Sequence, residues 1–325
     1  MVHSPSVLCP VDFSENSRGA LRYAASIACD LGGRLTLLAV NDRLLVEATE
    51  LAAEADHLAR DTVREVDRFC RQTSGCNLAA VGDVRLEVGT GKPSSEILRI
   101  SKERGADLIV MSSHGATGFR KLFFGSTTER VLRETTVPVL VTPAADAGTS
   151  RTVGAQAALR RILVPVDLSA ATAHQVAAAQ RVAEHLRVPL LLLHVIEPVR
   201  SMVAAHPRLP KIDAERRDRA ERELEALIAG MPPLGKPEAL IAYGEPAEEI
   251  AKVATERDAG LIVLGLHSSP LLGPRMGSVT YRVLCLAHRL VLAIPPQPAP
   301  AFRLEVAGAA TQAPVGTFPG LTDAS

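Results

Sequence analysis

The chain repeats itself at domain scale. LCPVDFS at Leu8 to Ser14 returns as LVPVDLS at Leu163 to Ser169, and LLAV at Leu37 to Val40 returns as LLHV at Leu192 to Val195, both at an offset of 155 residues. GKPSSEI at Gly91 to Ile97 returns as GEPAEEI, ADLIVM at Ala106 to Met111 as AGLIVL, and GSTTERVL at Gly125 to Leu132 as GSVTYRVL. PVLVTP then has the counterpart LVLAIP, and the order is kept throughout. A repeat of this length means two copies of one folding unit rather than a solenoid. The total of 325 residues suits two domains.

Within each copy, short apolar runs alternate with helical patterns. In copy one the expected strands are Val7 to Val11, Arg34 to Val40, Val84 to Val88, Asp107 to Met111 and Val137 to Val141. Helices are expected from Ser14 to about Asp30, over Glu47 to Arg71, from Pro93, and from about Ser126. In the long helix the apolar positions are Leu51, Ala55, Leu58, Val63, Val66 and Phe69. Alternating strands and helices imply right-handed crossovers and an open parallel sheet, so the fold class is α/β with two Rossmann-like domains. The composition agrees: 47% of residues are hydrophobic but only 3% aromatic, so Ala, Val, Leu and Ile must build the core. The expected division is domain one at 1–143, a linker at 144–160, domain two at 161–295 and a mobile tail at 296–325, in which Phe302, Leu304 and Val306 could add an edge strand.

Several function classes are disfavoured. Basic and acidic residues balance at 36 each, which leaves no electrostatic footprint for nucleic acid or a membrane surface. The start of the chain shows no basic leader, and no apolar run is long enough to span a bilayer. The five cysteines match neither a redox CxxC pair nor a zinc site and read as small buried hydrophobes. No metal cluster or nucleophile elbow stands out, so no catalytic residue is assigned.

In open α/β sheets ligands sit at the carboxyl ends of strands where strand order reverses. Asp12 follows the first strand, Met111-Ser112-Ser113-His114-Gly115 follows the fourth, and Gly125-Ser126-Thr127 opens a helix. Glycines before a helix N-terminus let backbone N–H groups approach an anion. Arg120 and Lys121 could neutralise its charge. Each feature alone has a plainer reading: Asp12 as a helix cap, the glycine loop as a turn, His114 as a loop-positioning residue.

Taken in order, these motifs resemble the universal stress protein family, over nearly all of residues 5–143 and most of 160–295. The resemblance implies tandem domains of the adenine-nucleotide α-hydrolase-like fold that form an internal pseudo-dimer. ATP-binding members of the family carry Gly, two residues, Gly, nine residues, then Gly-Ser or Gly-Thr. Copy one matches with Ser112 in place of the first glycine, then Gly115 and Gly125-Ser126. Copy two reads Gly265, Ser268 and, after eight residues, Gly277-Ser278, with Pro270 and Pro274 in the loop. The resemblance places Pro10, Val11, Asp12 and Val40 at adenine and ribose, and Met111 to Gly115 with Gly125 to Thr127 at ribose and phosphates. The second-copy counterparts are Asp167, Val195, Gly265, Gly277 and Ser278. It implies ATP, alone or with Mg2+, a cytoplasmic location, and a stress or regulatory role exercised through an unidentified protein partner. A slow ATPase or nucleotide hydrolase or transferase, and a nucleotide-free structural pseudo-dimer, are the competing functions. The last strands of the copies are expected to pair, with the copies face to face about a pseudo-two-fold axis; a homodimer of the whole chain is a further expectation.

Overall fold

A computed structural model describes residues 4–51, 55–115, 125–144, 159–169, 171–198, 209–231, 237–266, 268–269, 273–274 and 276–296. Most of the expected linker, the expected tail with its edge strand, and the loop carrying Arg120 and Lys121 lie outside the described residues.

Copy one runs β1 (Ser6–Val11), α1 (Glu15–Asp30), β2 (Arg34–Asn41), α2 (Arg43–Leu51), α3 (Ala55–Gln72), a short 3-10 turn, β3 (Asp83–Thr90), α4 (Pro93–Glu103), β4 (Leu108–Ser112), α5 (Ser126–Glu134) and β5 (Val139–Thr142). Copy two repeats it as β6 (Ile162–Pro165), α6 (Thr172–Leu186), β7 (Leu190–Ile196), α7 (Leu209–Ala229), β8 (Glu238–Tyr243), α8 (Pro246–Glu256) and β9 (Leu261–Gly265). A two-residue hairpin follows, β10 (Ser268–Ser269) and β11 (Gly273–Pro274), then α9 (Ser278–Leu286) and β12 (Leu290–Ile294).

Two elements depart from expectation. The helix expected from Glu47 begins at Arg43, because Asp42 caps it: its carboxylate accepts the Leu44 N–H at 2.7 Å. The helical pattern is described as α2 and α3, with Thr62, Val66 and Phe69 inward and Val63 outward at 43% exposure. The last strand of copy one starts at Val139 rather than Val137. Thr135 takes the Val137 N–H at 2.9 Å in a local turn, and Pro138 has no N–H to offer a ladder.

All ten long strands form one sheet, in the order β3-β2-β1-β4-β5-β12-β9-β6-β7-β8. Pairing is parallel within each copy and antiparallel between β5 and β12, where Val139, Leu140 and Val141 register with Ala293, Leu292 and Val291. The copies therefore join edge to edge through one continuous sheet, not face to face. Unpaired apolar edges invite association, and here each copy's edge covers the other's.

Alternation along the strands divides the core between the two faces. Val7, Cys9 and Val11 of β1 pack under α1 and α3, while Leu8 packs on the opposite side with α4 and α5. Helices α6 and α7 share the first face and α8 and α9 the second. No described helix is long and apolar enough to cross a membrane.

Candidate functional site

Strand order reverses beside β1 in copy one, since β2 lies on one side of it and β4 on the other. The β1–β2 ladder registers six residue pairs, but the β1–β4 ladder registers two, Val7 with Leu108 and Leu8 with Ile109. Beyond those pairs the strands part, and a crevice opens at their carboxyl ends.

Asp12 stands on one lip of this crevice. It does not cap α1 itself. Ser14 does so, its hydroxyl oxygen accepting the Ser17 N–H at 3.1 Å. Asp12 Oδ1 in turn accepts the Ser14 hydroxyl at 2.6 Å and its N–H at 3.1 Å. Closing this turn puts Phe13 in the left-handed region at φ 62°, and Leu168 repeats the conformation in copy two at φ 58°. Non-glycine residues hold such angles only where surroundings impose them. The support for Phe13 is Phe69 of α3, whose ring meets it edge to face at 5.7 Å. Arg18 lies 4.3 Å over the Phe69 ring and donates to the Phe69 carbonyl and the Thr73 hydroxyl, each at 3.1 Å. Sequence reasoning missed Phe13, Arg18 and Phe69; the only available signal was two of the chain's seven phenylalanines falling near candidate site elements.

The other lip is the segment after β4. The Ser112 hydroxyl donates to the His114 carbonyl at 2.7 Å, and the Thr128 hydroxyl donates to the Ser112 carbonyl at 2.9 Å. The Gly125 N–H donates to the Ser113 carbonyl at 2.9 Å. These bonds fold the segment back onto the start of α5. Two glycines sit where a side chain would be crowded. A Cβ on Gly115 would stand 2.9 Å from Asp12 Oδ2, and one on Gly125 would stand 3.1 Å from the Ser113 carbonyl oxygen. Ser112, which replaces a family glycine, is an ordinary strand residue without a positive φ, so the substitution costs no backbone strain.

Asp12, Gly115 and Gly125 are thus brought together as expected. Helix α5 begins with no side-chain cap. The N–H groups of Ser126, Thr127 and Thr128 have no intrahelical acceptor, and with the helix dipole they favour an anion. The His114 Nδ1 lies 2.9 Å from the Ser113 hydroxyl, and its buried Nε2 has no hydrogen-bond partner among the described residues. Uncapped N–H groups at a helix start are chemically suited to an anion such as phosphate. Val11 and Met111, by contrast, have core side chains, each 5% exposed, so only their backbones reach the crevice. Pro10 and Val40 are half-buried beside it.

Copy two has the same frame with different contents. Asp167 Oδ1 accepts the Ser169 N–H and the Thr172 hydroxyl, both at 3.0 Å. Gly277 and Ser278 again open an uncapped helix. The split between β6 and β9, however, is bridged by Gln175, whose amide donates to the Pro165 carbonyl at 2.8 Å and the Val263 carbonyl at 2.9 Å. In copy one this position is Ala20. His194 takes the place of Ala39 and donates from Nδ1 to the Val166 carbonyl at 2.8 Å. Val195 lies half-buried at the end of β7. Gly265 ends β9, and Ser268, replacing the second family glycine, starts the β10–β11 hairpin that closes on Pro274. Among the described residues no group of three or more His, Cys, Asp or Glu side chains could hold a metal.

A universal stress protein of Methanocaldococcus jannaschii is 27% identical over 149 residues, covering 42% of this chain and 92% of the relative. A Bacillus subtilis universal stress protein is 29% identical over 142 residues, covering 42% and 96%. Across both copies, the crystal structure of a universal stress protein from Archaeoglobus fulgidus superposes with a TM-score of 0.62 at 22% identity, covering 90% of this chain and 99% of that one. That likeness extends the shared fold over the whole two-copy sheet. The model of the universal stress protein family matches residues 4–143 and again 158–295, and the chain belongs to that family.

Proposed function

We propose that the chain is an adenine-nucleotide-binding regulatory protein of the cytoplasm that takes ATP in copy one, and that nucleotide occupancy governs its contact with a protein partner. The observation that carries this reading is the junction of β4 and α5. There Gly125 leaves the first turn of α5 without a side-chain cap among the described residues, and its backbone lies against that of Ser113, His114 and Gly115. Asp12, on the facing lip, supplies a carboxylate suited to ribose hydroxyls, which a carboxylate accepts as hydrogen-bond donors. The family resemblance assigns the same residues to ribose and phosphates. The test is direct. Purified protein is denatured and its supernatant chromatographed at 260 nm, and ATP affinity is measured by calorimetry with and without Mg2+. Stoichiometric adenine nucleotide or micromolar ATP binding supports the proposal, and neither overturns it. Incubation with ATP then separates a binding protein from a slow ATPase: nucleotide recovered intact supports the binding role.

Copy two favours a different reading. Gln175 occupies the split that stays open in copy one, and the β10–β11 hairpin takes up the loop. We infer that copy two serves chiefly as the structural partner of copy one.

A further inference from the structure

A second cavity lies away from the crevice. It sits over the middle of the sheet, between α1 and α6, and is lined at the amino-terminal starts of β1 and β4 rather than at their carboxyl ends. Its volume is about 130 Å³, and its walls are almost wholly carbon.

The cavity straddles the junction of the copies. Its walls come in equivalent pairs: Ile27 of α1 and Leu31 at its C-terminal cap face the cavity as Val182 and Leu186 do from α6, each pair at the repeat offset of 155 residues. Its floor includes Leu140 and Leu292, which register with each other across the β5–β12 ladder. Asp30 and His185, again equivalent positions, complete the rim. Duplication has let these two diverge, so the rim carries one acid and one imidazole where a symmetric pair would carry two of a kind.

We propose that this cavity is a binding site for a small uncharged, mainly hydrocarbon molecule of about the size of one or two fused rings. The wall composition selects the class. An apolar space of this size holds no stable water, and a comparable engineered void of about 150 Å³ takes up benzene. Ligand sites combine such a concave apolar lining with a few polar groups, the part played here by Tyr23, Asp30 and His185. A phosphate ester is disfavoured: among the described residues the lining contains no Lys or Arg, and no helix N-terminus opens into it. The ligand would bridge both copies, so its binding bears on the same seam that joins them.

The experiment titrates the full chain with 1-naphthylamine, an uncharged two-ring dye whose emission brightens and shifts in apolar sites, with and without saturating ATP. Saturable binding of one dye per chain, unchanged by ATP, is the expected result. Val182→Trp and Ile27→Trp fill the cavity from opposite walls. Both positions are only partly buried, so a larger side chain has an outlet. Each variant, checked for a native circular dichroism spectrum and cooperative melting, is expected to bind the dye at least ten-fold more weakly. Absence of saturable binding, displacement by ATP, or parental affinity in a folded filled variant would overturn the proposal.

Discussion

Leu140 and Leu292 hold the same place in the two copies and are partners in the antiparallel ladder that joins them. Two equivalent residues can pair in this way only where the pseudo-two-fold axis passes between them. Both are buried, at 6% and 5% exposure, on the face that carries α1 and α6. Truncating either to Ala is expected to cost about 2–5 kcal/mol, the usual range for a buried leucine. Because they touch one seam, the double variant should depart from additivity by about 0.5–3 kcal/mol. Chemical denaturation of the four proteins measures this; strict additivity would mean the copies do not share their core. Small-angle scattering should show one compact particle rather than two beads on a string.

Gly125→Val should abolish ATP binding while leaving the fold cooperative. The added Cβ meets the Ser113 carbonyl at 3.1 Å, and the branched side chain covers the N–H groups at the start of α5. Each well-aligned donor to a charged group contributes about 1.5–3 kcal/mol, so losing a few removes binding from the measurable range. Calorimetry is the check, with thermal melting to confirm folding. Parental affinity in this variant would remove the phosphate-loop reading.

The copies should differ in occupancy. Calorimetry on the parent is expected to give one strong site per chain, abolished by Gly125→Val and little changed by Gly277→Val. Gln175→Ala tests the reason for the inequality, since it reopens the split bridged at the Pro165 and Val263 carbonyls. A second, weaker site appearing in this variant would assign the difference to Gln175. Two equal sites in the parent would refute it.

Much of this arrangement was legible in the sequence because duplication wrote it twice. The repeat, the continuous apolar strands and the Pro at the first turn of α4 all encode local structure, and local structure plus the crossover rule fixes the parallel sheet. The places of Asp12 and Gly125 were legible too, since Asp12 follows β1 and Gly125 precedes α5. What the sequence hid was set by non-local contact. Nothing in the order of residues says that Phe69, on α3, reaches back to brace Phe13, or that Arg18 stacks on the same ring. Gln175 is one of several polar residues of α6, and only the sheet brings its amide across two strands. Val63 matched the helical period of its neighbours, yet the inward stripe runs through Thr62, Val66 and Phe69.

The cysteines give a pH signature. Burial pushes the Cys9 thiol far above the ordinary range, with Cys76 and Cys70 nearby adding to it, and burial raises Cys70 to about 11. In the unfolded chain such thiols ionise near 8.5. A group whose pKa is raised by folding keeps its proton in the native state while the unfolded chain loses it. The stabilisation by these neutral thiols is therefore complete below about pH 8.5 and is lost as pH rises toward the folded values. Between pH 8.5 and 10.5 the unfolding free energy should fall, with Cys9 alone contributing a slope of up to about 1.4 kcal/mol per pH unit. Cys9→Ala leaves a small void and lowers stability at pH 7, but its decline across this alkaline window should be shallower than the parent's. Urea denaturation at four pH values measures both slopes. Parallel curves for parent and variant would show that Cys9 is not the buried proton store, and an exposed thiol such as Cys29 should react with a maleimide long before Cys9 does in the folded chain.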